Sequence, residues 1–169
     1  LMVSAWKETM AFDSRGRRAD EQIEVMRALW DDRPNGAGFH GEFFGFDHAM
    51  CYPKPGAGSR LPIHVGGHSR AAARRAGRLG DGFQPLGVGG PDLVALISLM
   101  RDEASKLGRD PDALELSLGH LVTRIDPDRA QKLANLGADR VVLAMPPVTD
   151  FEEAKDILSA CAQRLALTT

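Results

Sequence analysis

The chain has 169 residues, 43% of them hydrophobic, which is long enough to build a core and too apolar for an intrinsically disordered segment. Its formal net charge of -2 gives no general attraction to nucleic acid or acidic membranes, and no apolar run approaches the ~20 residues of a membrane helix. The opening LMVSAWKETM lacks the charged and long apolar segments of a signal peptide.

Residues 2–5, MVSA, are expected to be the end of a strand. Ser14 to Trp30 is predicted as a helix, because Ile23, Met26, Leu29 and Trp30 recur at helical spacing on one face. Asp13 or Ser14 is placed to cap it, and DDRPNGAG, Asp31 to Gly38, stops it. Phe39 to Gly58 reads as irregular, with room for a short hairpin. Its FHGEFFGFD holds four of the seven phenylalanines, so the segment is expected to pack rather than float free.

From residue 61 the chain becomes rhythmic. Leu61–Val65 reads as a strand and Ser69–Leu79 as a helix. Gly82–Pro85 is a short strand, and Pro91–Leu107 a helix with proline in its first turn. Leu114–Thr123 is a strand, and Asp126–Leu136 a helix capped by Asp126. Asp139–Ala144 is a strand, and Asp150–Leu165 a helix. This β-α-β-α-β-α-β-α order implies parallel strands joined by right-handed helical crossovers. No linker or low-complexity tract divides the chain, so one α/β domain is expected, with 1–60 as its helix and excursion and 61–169 as four βα units.

Cys51 and Cys161 fit no metal or redox spacing. They suit a reducing cytoplasm, although a pairing between them stays open. No two of the five histidines stand four apart on one predicted helix, so no metal site is expected.

The stretch PIHVGGHSRAAARRAGRLGDGF, Pro62 to Phe83, carries the chemistry. Glycine lets a phosphate come close to backbone amides, and a helix N-terminus adds unpaired N–H groups with about half a positive charge. Gly66 and Gly67 leave the strand, and Ser69 opens the helix, where its hydroxyl can cap or donate to a phosphate. A tight turn with a serine cap and no ligand explains the same spacing, and both readings stay open. The stretch is neither G-x-G-x-x-G nor a P-loop. Arg70, Arg74 and Arg78 line one helical stripe with Arg75 beside it, either a grip on an anionic tail or a solvated face. Ala72, Ala76 and Leu79 take the sheet-facing side. His68 reads as a turn residue, and His64 as a packed, hydrogen-bonded core residue.

These residues resemble the segment around strand 5 of luciferase-like monooxygenases, above all the branch of bacterial oxidoreductases that uses the deazaflavin coenzyme F-420. RGRRADEQIEVMRALW, FHGEFFGFD and CYPKP are similar to the family's helix 4 and the excursion after it. DPDRAQKLANLGADRVVLAMP is similar to its helix 7 and strand 8. The resemblance implies a (β/α)8 TIM barrel binding FMN or the deazaflavin at the carboxyl ends of its strands, with hydride passing between cofactor and organic substrate. Carried over by position, Gly66, Gly67 and Ser69 touch the cofactor phosphate, and His68 lies in the same cofactor-binding turn. Asp81 and Gly82 match an Asp-Gly of mainly structural role. Two positions depart: Ser4 and Ala5 precede Trp6 where the family has glycines, and Phe83 replaces a tryptophan.

The resemblance begins where the family's strand 4 is ending, so it covers the C-terminal half of a barrel, about four parallel strands with flanking helices. It names no catalytic residue. Glu8 and His48 can titrate, but neither has a partner that the sequence identifies. Four strands leave two open edges and an interior face meeting water, although RVVLAM is built for burial on both faces. Burying each large side chain there is worth about 1.5–3 kcal/mol. A partner is therefore expected: a second copy forming a homodimer, a separate N-terminal half, or the excursion folded over the open face. The functions implied are half of a flavin- or deazaflavin-dependent oxidoreductase, a non-catalytic half-barrel, or a subunit pairing with another barrel protein.

Overall fold

A helix and a hairpin form the first of the two units into which the chain divides, Leu1–Ile63 and His64–Thr169. The computed structural model describes residues 12–31, 33–56 and 61–167. The expected strand at 2–5 and Glu8 lie outside the described residues. Helix α1 spans Arg15–Trp30 after a 3-10 turn, Phe12–Ser14. Ser14 occupies the cap position without a side-chain cap bond. At the other end the Lys54 ammonium donates to the carbonyls of Leu29 and Asp31, both at 2.8 Å, a cation placed on the helix's negative end.

The aromatic excursion forms an antiparallel hairpin, β1 (Ala37–His40) with β2 (Gly45–Ala49), pairing Phe39 with Phe46. It begins two residues inside the segment read as a helix stop. Glu21 of α1 is buried, and its carboxylate accepts the amides of Phe43 (3.0 Å) and Phe44 (2.8 Å) at the hairpin tip. Gly41 is glycine because a β-carbon there would collide with that carboxylate. The Arg18 guanidinium lies 4.5 Å from the centre of the Phe43 ring.

The second unit alternates strand and helix: β3 (His64–Gly66), α2 (Arg70–Leu79), β4 (Gly82–Gln84), α3 (Gly90–Lys106), β5 (Glu115–Leu121), α4 (Pro127–Asn135), β6 (Arg140–Ala144) and α5 (Phe151–Arg164). The strands are parallel in the order β3-β4-β5-β6. In parallel strands of this order, right-handed crossovers put the helices of this unit on one face of its sheet. Strand β3 starts later than the apolar run suggests; Pro62 has no N–H for a ladder. Asp126 and Asp150 cap α4 and α5 by accepting the amides of Arg129 and Glu153.

The helix-facing side chains are buried: Val65, Phe83, Leu116 and Leu118 from the sheet, with Leu96, Ile97 and Met100 from α3. Helices α2 and α3 meet at Gly77, where a β-carbon would overlap the Met100 carbonyl oxygen. A second cluster packs Val122, Ile125 and Cys161 against Leu133, Leu143 and Ile157. Both cysteines are free thiols. The other face of the sheet is unevenly covered: Gly82 and Ser117 are buried there. Gly66, Gly119, Leu121, Val142 and Ala144 are exposed there, with Leu121 at 41% and Val142 at 37%. Strands β3 and β6 are its edges. Burial of RVVLAM on both faces is therefore not met within the chain: Val141 and Leu143 are half-buried, while Val142 faces out.

Candidate functional site at the carboxyl end of the sheet

Strand β3 ends in Gly66, and the chain turns through Gly67, His68 and Ser69 into α2. Gly67 takes φ +130°, a conformation that only glycine adopts at low cost. Its amide donates to the Gln84 carbonyl at 3.2 Å, tying the turn to the end of β4. Ser69 is the N-cap, and its hydroxyl oxygen accepts the Ala72 amide at 3.1 Å. That bond uses a lone pair and leaves the hydroxyl proton available to an acceptor. Helix geometry leaves the amides of Arg70 and Ala71 without intrahelical acceptors.

Gly66 is the informative position. It does not take a positive φ, and a β-carbon there would meet nothing within 4 Å. The described residues therefore supply no conformational or packing reason for glycine at 66. Gly66 is exposed, as are His68 and Ser69. The four positions come together as one open turn at the carboxyl end of a parallel sheet, where such sheets receive ligands. Its residues fit a phosphate: a bare backbone approach, a hydroxyl and a helix N-terminus.

The arginine stripe does not converge on this turn. Arg74 and Arg78 are exposed, and Arg74 Nε lies 4.0 Å from Glu103 of α3. The hydrogen bond from Lys106 holds the Glu103 carboxyl below its ordinary value, and the charges of Lys106, Arg74 and Arg78 add to this. The stripe beyond Arg70 is thus a solvated face with an ion-pair network. Arg70 alone stands in the first turn.

At the amino end of the same sheet lies a polar row that sequence spacing does not reveal. His64 Nε2 and Arg140 Nη2 approach the same Glu115 oxygen, at 3.3 and 3.2 Å. Gly82, paired with both His64 and Glu115, makes the room, since a β-carbon there would sit 2.6 Å from the His64 ring. Gly82 has the structural role expected of it, whereas His64 is half-buried beside Glu115 on an edge strand rather than in the core. His48 stands on the hairpin at φ 55°, with its ring nitrogen near the Asn35 carbonyl, and among the described residues it joins no group that could hold a metal. Among the described residues, no group of three or more potential ligands could hold a metal. No described helix is long and apolar enough to cross a membrane.

The profile of the luciferase-like monooxygenases matches residues 3–166. The chain belongs to that family. Among curated relatives of this luciferase-like chain, an F-420-dependent glucose-6-phosphate dehydrogenase of Segniliparus rotundus is 34% identical over 125 residues, covering 72% of this chain and 36% of the relative. The enzyme of the same name from Mycobacterium leprae is 31% identical over 134 residues, covering 78% and 38%. The chain thus spans little more than a third of the length of these relatives. Among solved structures, a coenzyme F-420-dependent tetrahydromethanopterin reductase from Methanopyrus kandleri superposes with a TM-score of 0.62 at 11% identity, over 89% of this chain and 61% of that one. An F-420-dependent secondary alcohol dehydrogenase gives 0.59 at 20% identity, over 94% and 57%. These likenesses establish the luciferase-like barrel fold, with this chain forming four of its strands.

Proposed function

We propose that this chain is the C-terminal half of a deazaflavin- or flavin-dependent oxidoreductase, with the cofactor phosphate held at Gly66, Gly67, His68 and Ser69. The observation that carries the reading is Gly66, a glycine that packing among the described residues does not require, at the mouth of a helix N-terminus. Backbone amides of the turn and of α2, the Ser69 hydroxyl and the Arg70 charge supply the anion's partners. Coenzyme F-420 is favoured by the names of the relatives, and FMN is the alternative. Bound there, either group supplies a two-electron hydride acceptor or donor for an organic substrate. The residues of this chain bind and orient; the groups that move a proton belong to the remainder of the barrel. Both thiols are free, which suits a cytoplasmic setting.

The test is a titration of the chain with each cofactor, read by fluorescence and melting temperature. Gly66→Val is the decisive variant. It projects into open space, so the fold should keep its melting temperature while affinity drops by about tenfold or more. Unchanged affinity in Gly66→Val, or no cofactor response in the parent chain, removes the reading.

The open face supports a second reading, in which the half-barrel is non-catalytic and pairs with a second copy or another barrel protein. Both readings need the sheet completed, because Leu121 and Val142 lie uncovered between two edge strands. Sedimentation decides the homodimer version: a well-behaved monomer at high concentration rules it out.

A further inference from the structure

Gln84, the last residue of β4, looks onto the same ground as Gly66. The ladder between β3 and β4 pairs Val65 with Phe83 and Gly66 with Gln84. Val65 and Phe83 are buried on the helix side. Side chains alternate along a strand, so Gly66 and Gln84 share the opposite face, on neighbouring strands about 4.8 Å apart. Gly66 contributes no side chain, and a β-carbon there would meet nothing within 4 Å. The bare approach at Gly66 is thus flanked on its β4 side by Gln84. The His64 ring fills the space over Gly82, two residues earlier on the same face, which closes the amino-end side.

The backbone and the side chain of Gln84 are employed differently. Its carbonyl accepts the Gly67 amide at 3.2 Å, which fixes the residue against the turn. Its half-buried carboxamide has no hydrogen-bond partner among the described residues. A carboxamide offers two N–H donors and an accepting oxygen, and leaving them unpaired is costly where water is partly excluded. Packing alone would be served better at this strand position by a β-branched or aromatic side chain. A neutral donor suits an anion here. The α2 N-terminus and Arg70 already bring positive charge, and an amide adds direction, whereas a glutamate would set a carboxylate beside the anion.

We propose that the Gln84 carboxamide donates a hydrogen bond to the anion held at Gly66–Ser69 and fixes its place over Gly66. This rests on the phosphate reading of that turn and adds a binding residue to it. The experiment is a titration of the full chain with inorganic phosphate, followed in proton–nitrogen correlation spectra. The Gln84 side-chain NH2 pair should shift together with the Gly67 and Ser69 amides, at one common midpoint. Gln84→Met should weaken phosphate about fivefold or more, and Gln84→Glu about tenfold or more. Gln163→Met, at an exposed position on α5, should leave affinity unchanged. Where Gln84→Met also lowers the melting temperature, the NH2 shift in the parent chain decides. An NH2 pair that stays still while the turn amides move overturns the proposal and leaves the phosphate reading standing. So does parent-like affinity in Gln84→Glu. Turn amides that do not respond to phosphate remove that reading and, with it, this role for Gln84.

Discussion

The two faces of one sheet have been built to different standards. On the helix side, Val65, Phe83, Leu116 and Leu118 are sealed under α2 and α3, and Phe83 is wholly buried. On the other side the same strands present glycines, a polar row and uncovered Leu121 and Val142. The difference teaches where this chain's own stability resides. The helix side carries it, and the other side leaves apolar side chains exposed.

Substitutions can break that contrast. The largest effect is expected from Phe83→Ala, which removes a fully buried ring and should cost about 3–5 kcal/mol in denaturant unfolding. Gly77→Ala drives a methyl into the Met100 carbonyl and should cost about 1–3 kcal/mol, felt as a loosened α2–α3 pair in amide exchange. Gly82→Ala tests the one open-face glycine whose space is filled. It should displace the His64 ring from Glu115 at a similar cost, visible as a change in the His64 ring resonances by NMR. Val142→Ser should stay within about 0.5 kcal/mol for the chain alone. A cost near that of Phe83→Ala would mean that the face is already covered in solution.

The smallest effect is on acid stability. The Arg129 amide holds the Asp126 carboxyl below its ordinary value, and the Thr149 amide does the same for Glu153. A carboxylate with a depressed folded value stabilises fully above its unfolded value and stops doing so as pH falls through the folded one. The melting temperature should therefore be level from neutral pH down to about pH 5 and decline below about pH 4. Asp126→Asn should flatten part of that decline.

The second unit was largely legible, because its signals are local. Aspartates 126 and 150 sit at helix starts, Pro91 and Pro127 fall in first turns, and the apolar runs alternate with them. The hairpin was harder, since its anchor joins Glu21 to amides more than twenty positions away. Spacing alone drew attention to Gly66–Ser69. It could not distinguish the two glycines, one required by its backbone conformation and the other by nothing among the described residues. The row from His64 to Arg140, and the Gln84 carbonyl under Gly67, depend on parallel register, which no single strand encodes. For Arg74 and Arg78 spacing leaves both an anion grip and a solvated face open, and the place of Glu103 across the helix pair favours the second.

The close seat of Gly77 on the Met100 carbonyl has a mechanical consequence. Two backbones in direct touch have no side-chain cushion to slide on, so α2 and α3 should exchange their amides as one unit. Backbone freedom is concentrated instead in the short span between β4 and α3, where Gly87 takes a positive φ and nothing described crowds Gly87 or Gly89.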